Sequence, residues 1–137
     1  MRAHSPPFVL TIESSLTLRT IIEVTLRRHF PSARGAFYAE AVAALQDIHA
    51  GRLPVPAVAV IRQDMPHLDG IAATRLMRAR GYPTGIVLLL EHDCALERVK
   101  ARLAGAQTSL AKPLTVQQLV QTLHAFPALR TRSPGER

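Results

Sequence analysis

Short apolar runs and amphipathic segments follow one another along the whole chain. Phe8-Val9-Leu10-Thr11-Ile12 is apolar and rich in β-branched residues, Glu13-Ser14-Ser15 is polar, and apolar residues then recur at Leu18, Ile21, Ile22 and Leu26 before Arg27-Arg28. This pattern predicts a strand, a serine N-cap and an amphipathic helix, which Pro31 closes. Gly35 to Tyr38 reads as a second strand, and Glu40 to His49, with Val42, Leu45 and Ile48 near helical spacing, as a second helix stopped by Gly51. Val58 to Ile61 predicts a third strand and Met65 to Gly70 a turn, while Ile71, Leu76 and Met77 fall on one side of a third helix closed by Gly81. Ile86 to Leu90 is the continuous apolar run expected of a strand covered on both faces. Asp93 is the expected cap of a fourth helix, in which Leu96, Val99 and Leu103 are spaced three and four apart and Gly105 is the stop. A weaker strand, Thr108 to Ala111, precedes Lys112-Pro113, and Thr115-Val116-Gln117-Gln118 has the T-x-x-Q form of a capping box leading into Leu119, Val120 and Leu123.

Five strands that alternate with five helices through short connections predict an α/β domain, a doubly wound parallel sheet with helices on both faces and right-handed crossovers. In such sheets ligands bind beyond the carboxyl ends of the strands, near the point where the strand order switches. The residues at those ends are Glu13 and Ser14, Arg62 and Asp64, Leu90 and Glu91, and Lys112.

Composition narrows the classes. At 137 residues, 47% hydrophobic and 20% charged, the chain is expected to be one folded domain over residues 8–126, with a short extension at 1–7 and a flexible basic tail at 127–137. The longest apolar run, Ile86 to Leu90, is far below the roughly 18 residues that span a bilayer, and MRAHSPPF lacks an apolar signal core, so a cytoplasmic protein without a membrane partner is expected. A lone Cys94 excludes an internal disulfide, and the six histidines show no zinc-site spacing, so no structural metal is expected. Cys94 reads either as a small filler at a helix start or as an oxidant-sensitive thiol. The net charge of +7 invites a polyanion partner, but a net +2 lies in the last eleven residues and +1 in the first seven, which leaves a mildly basic body. With no tryptophan and only six other aromatic residues to stack on bases, nucleic acid is not the expected partner.

Two segments carry a resemblance. VAVIRQDMPHLDG, Val58 to Gly70, is similar to the M-P-x-x-D-G turn that follows an apolar strand in the receiver domains of two-component response regulators (CheY-like domains), and AGAQTSLAKPL, Ala104 to Leu114, resembles their A-G-A stretch leading to a K-P pair. The resemblance covers about residues 8 to 126 and implies a flavodoxin-like (βα)5 fold with strand order 2-1-3-4-5. In that family an aspartate ending the third strand accepts a phosphoryl group from a histidine kinase, two acidic residues after the first strand help to bind Mg²⁺, and a lysine holds the product. A hydroxyl after the fourth strand and an aromatic residue on the fifth report the change. A carboxylate is a nucleophile for phosphorus, hard Mg²⁺ requires oxygen ligands, and lysine supplies a point charge to the phosphoryl oxygens.

Against that pattern, counting back three residues from Met65 places Arg62 at the acceptor position, and a guanidinium does not attack phosphorus. Glu13 keeps one acidic residue and Ser14 replaces the other, Leu90 stands at the hydroxyl position and Ser109 at the aromatic one. The expectation is a stand-alone pseudo-receiver without enzymatic activity, with weak or absent Mg²⁺ binding and only a vestigial metal residue, Glu13. Arg62 is expected to pair with Glu13, and with Glu91 or Asp64, and to lock one conformation. Lys112 is expected to be held by Glu13. Output would run through a protein partner, a kinase or an output protein, or through a homodimer, using residues 93–126. Two alternatives stay open: an anion or nucleotide sensor built on Arg62 and Lys112, and an acceptor displaced to Asp64.

Overall fold

The computed structural model describes residues 6–130. Its elements alternate throughout: β1 (Phe8–Ile12), α1 (Leu16–His29), β2 (Arg34–Tyr38), α2 (Ala41–His49), β3 (Val58–Arg62), α3 (Gly70–Ala79), β4 (Gly85–Leu90), α4 (Ala95–Ala104), β5 (Thr108–Ala111) and α5 (Val116–His124). All strand pairings are parallel and the order is β2-β1-β3-β4-β5, the doubly wound arrangement expected.

The period-2 alternation of the strands sorts the apolar residues into two cores, one on each face of the sheet. Leu10, Ile12, Ala59, Ile61, Ile86, Leu88 and Leu90 face the layer that α2, α3 and α4 cover with residues such as Ile48, Met77 and Ala101. Val9, Val58, Val60, Val87 and Leu89 face the layer of α1 and α5, where Ile22, Leu26, Leu119 and Leu123 are buried. Every residue of β4 is buried, which explains its unbroken apolar run.

Local chemistry sets several boundaries. Ser15 caps α1 by accepting from the Leu18 N–H at 3.3 Å, and Thr115 and Gln118 form the capping box of α5. Four expectations need correction. The fourth helix is not capped by Asp93: the N-cap position is Cys94, with no side-chain cap bond, because Asp93 is held by Arg98 Nε at 2.7 Å. On α4 the buried side is Ala101 and Ala104, small enough to let the helix approach the sheet, and Leu96, Val99 and Leu103 are 61%, 55% and 81% exposed. On α3, Ile71 and Met77 are buried but Leu76 is 45% exposed. The packed unit also runs past the expected boundary: Pro127–Leu129 form a 3-10 turn and Leu129 is buried. Residues 1–5 of the predicted extension and 131–137 of the predicted tail lie outside the described residues.

Candidate functional site

The chain leaves β1 toward β2 and returns on the other side of β1 to β3, so the switch point lies at the carboxyl ends of β1 and β3, where Ile12 pairs with Ile61. Glu13 is the next residue on one strand and Arg62 on the other. Glu13 Oε2 accepts from Arg62 Nη1 at 3.0 Å and from the Ser15 backbone N–H at 2.8 Å, and Arg62 Nη1 also reaches Ser14 Oγ at 3.2 Å. The Glu13 side chain is wholly buried and that of Arg62 is 24% exposed. Glu13 Oε1 and Arg62 Nε are buried without a hydrogen-bond partner, so the pair is only partly satisfied.

A second pair adjoins the first. Glu91, just past β4, accepts from Lys112 Nζ at 3.1 Å and lies 3.8 Å from Arg62 Nη2. The Lys112 hydrogen bond, reinforced by the lysine's charge, holds the Glu91 carboxyl below its ordinary value, and Arg62 adds a smaller push the same way. Glu13, Arg62, Glu91 and Lys112 thus run along the ends of β1, β3, β4 and β5 with alternating sign and no net charge.

The turn between β3 and α3 fixes where Arg62 stands. Gln63, a buried polar residue, donates its backbone N–H to Leu89 O at 2.9 Å and accepts the Ile71 N–H on its side-chain oxygen at 2.7 Å. Asp69 caps α3 by accepting from the Ala72 N–H at 2.8 Å. Gly70 is required by close approach: a Cβ there would lie 2.8 Å from the Arg62 carbonyl oxygen and 3.0 Å from Gln63 Cα.

The structure brings Glu13, Ser14, Arg62, Glu91 and Lys112 together. Asp64 is exposed and pairs with no cation among the described residues. Lys112 is held by Glu91 and not by Glu13, whose Oε2 is already engaged by Arg62 and Ser15. Leu90 is fully buried in the core beneath α2, α3 and α4, and Ser109 is nearly buried, its carbonyl accepting from Arg98 Nη1 at 2.8 Å. Sequence reasoning missed Gln63 and Arg78. A glutamine between an apolar strand and a turn is a signal for the first. Arg78 is part-buried and donates to the carbonyls of Gly105 and Tyr82 and to Gln107 Oε1, tying α3 to the entry of β5.

Comparison with known proteins agrees with the architecture. A family model described as the response regulator receiver domain matches residues 9–124. The chain is 36% identical over 81 residues to the response regulator MprA of Mycobacterium sp. (strain KMS) and 34% identical over 80 residues to the transcriptional regulatory protein TctD of Salmonella typhimurium (strain LT2). These matches cover 59% and 58% of this chain and 34% of each relative, so the chain spans about a third of the length of the curated relatives it matches. Among solved structures, the receiver domain of the putative response regulator NarL from Mycobacterium tuberculosis superposes with a TM-score of 0.77 at 24% identity, covering 89% of this chain and 96% of the other. A LuxR-family two-component response regulator from Aurantimonas sp. gives 0.78 at 23% identity, over 95% and 91%. The match from residue 9 to 124, carried on a sheet of order 2-1-3-4-5, makes this chain a member of the response regulator receiver domain family.

Proposed function

We propose that this receiver domain signals through protein contacts and not through phosphoryl transfer, as a pseudo-receiver without enzymatic activity. The observation that carries the reading is the 3.0 Å pair between Arg62 and the fully buried Glu13 at the switch point. Counted from the Met65-Pro66 turn, Arg62 stands at the family's acceptor position, and its guanidinium has no nucleophilic lone pair to offer phosphorus. The Mg²⁺ that the family implies does not suit the residues present. The one carboxylate at the end of β1 spends an oxygen on Arg62 and Ser15, Ser14 is neutral, and the guanidinium would set a like charge beside the ion. Among the described residues no group of three histidine, cysteine or acidic side chains gathers anywhere.

The charge row along four strand ends then does the work of a fixed state: it ties β1, β3, β4 and β5 in one arrangement with no change of charge to report. The same neutrality argues against the anion sensor, since Arg62 and Lys112 both already face carboxylates. Output runs through residues 93–126, where Leu96, Val99 and Leu103 put an apolar stripe on the surface of α4. We assign this face to a signalling partner, with a second copy of the chain as the first occupant to test. No helix is long and apolar enough to cross a membrane among the described residues.

The direct test is intact-mass spectrometry after incubation with acetyl phosphate and Mg²⁺, with beryllofluoride followed by NMR. The expected result is no adduct and no amide shifts at the ends of β1 and β3. A phosphoryl adduct that disappears in Asp64→Asn would place the acceptor at Asp64 and overturn the proposal.

A further inference from the structure

Away from the charge row, α2 and α3 flank a half-open cavity of about 260 Å³. Its interior is apolar, with fully buried Met77 at its base and Leu45 and Leu68 on its walls. Leu76 lines it too, which accounts for the exposure of a leucine that helical spacing assigns to the core: the side chain is 45% exposed because it faces this opening and not a neighbouring helix. The polar lining includes Arg80 and His49, and no acidic side chain lines the cavity. Arg80 Nη1 lies 2.8 Å from His49 Nδ1. A guanidinium only donates, so Nδ1 is the acceptor and the imidazole N–H is at Nε2. Arg80 has no other side-chain hydrogen bond or ion pair among the described residues, which leaves most of its donors free.

We infer that this cavity binds an apolar monocarboxylate. Leucine and methionine walls accept a ring or short alkyl chain, and the donors of Arg80 that His49 does not engage supply charge-assisted hydrogen bonds for one carboxylate. The volume is of the right order, since a cavity of about 150 Å³ admits benzene and the excess here leaves room for a short acid side chain. A neutral ligand of the same shape would gain the apolar contacts alone, because the exposed donors of Arg80 would stay with water, and a dianion would exceed the single cation. The site shares no residue with the Glu13–Lys112 row, so it stands or falls independently of the proposed function.

The test is a titration of the isotope-labelled full chain, followed by amide NMR, with phenylpropionate as the probe and phenylpropanol as its neutral counterpart. Phenylpropionate is expected to give saturable shifts confined to α2, Leu68 and the segment from Leu76 to Tyr82, with a Kd of about 0.1–1 mM. Phenylpropanol is expected to bind at least about tenfold more weakly, and Arg80→Gln, at an exposed position, to bring the acid down to the level of the alcohol. Leu76→Phe, which narrows the cavity, should weaken both. The inference is overturned if the acid gives no saturable shift at about ten times that Kd, if shifts gather instead around Arg62 and Lys112, or if acid and alcohol bind alike in the unmodified chain.

Discussion

Removing one half of the Arg62–Glu13 pair strands the other. Glu13 is wholly enclosed, so in Arg62→Met its carboxylate keeps only the Ser15 N–H as a donor, inside the protein and without a counter-charge. An uncompensated buried charge of this kind costs several kcal/mol, reduced here because Arg62 is itself 24% exposed. Arg62→Met is therefore expected to lose about 2–3 kcal/mol in urea unfolding. Glu13→Gln removes the charge but keeps a side-chain oxygen for the Ser15 N–H. Introduced into Arg62→Met, it should recover most of the loss, a coupling of about 1.5 kcal/mol or more in the double-mutant cycle. The native pair leaves Glu13 Oε1 and Arg62 Nε without partners and so contributes less than a fully bonded one, which favours recovery. Additive effects, or a loss below about 0.5 kcal/mol for Arg62→Met, would show the pair to be an ordinary surface contact.

At the scale of elements, the glycine of the Asp69-Gly70 turn decides how closely α3 approaches β3. A Cβ at Gly70 would meet backbone atoms of Arg62 and Gln63, which cannot swing aside as a side-chain end can. Gly70→Ala is expected to lose about 1–3 kcal/mol and to shift the amides of Arg62, Gln63 and Ile71 together. Gly35→Ala is the control, since a Cβ there meets nothing nearer than 3.8 Å and the lower entropy of the unfolded chain favours alanine; a loss in Gly70→Ala no larger than in the control would overturn the contact argument. The same turn shows what was legible beforehand. The strands, the Ser15 cap and the Thr115 capping box follow from local patterns of one residue type at fixed spacing, and these the sequence displays directly. The charge at the end of β3 was legible as well, because Arg62 is counted from a motif. The partner of Lys112 was not. Glu13 and Glu91 are both carboxylates at strand ends, and the choice depends on which one Arg62 has already engaged, a matter of three-dimensional geometry. Asp93 failed as a cap for a related reason, since Arg98 competes for its side chain.

Helical periodicity identifies an apolar face but not what covers it, and for the molecule as a whole α4 is where that matters. Leu96, Val99 and Leu103 keep helical spacing, yet the sheet is met by Ala101 and Ala104, so the larger side chains face outward. Their exposure means that they contribute little to the stability of the single chain, and their contiguity makes a surface that association would cover. Along the same helix Glu97 stands among Arg98, Lys100 and Arg102, and Asp93 precedes it, so two copies related by a two-fold axis have both signs available for pairing around an apolar centre. Analytical ultracentrifugation should therefore find a dimer at about 100 μM that persists in about 0.5 M salt, because apolar burial is not screened as surface charge is. Leu103→Glu should be monomeric with a melting temperature within about 2 °C of the parent, since an 81% exposed side chain takes little part in folding. A parent chain that stays monomeric at that concentration would reserve the stripe for a different protein. A Leu103→Glu chain that still dimerises would move the interface off α4 altogether.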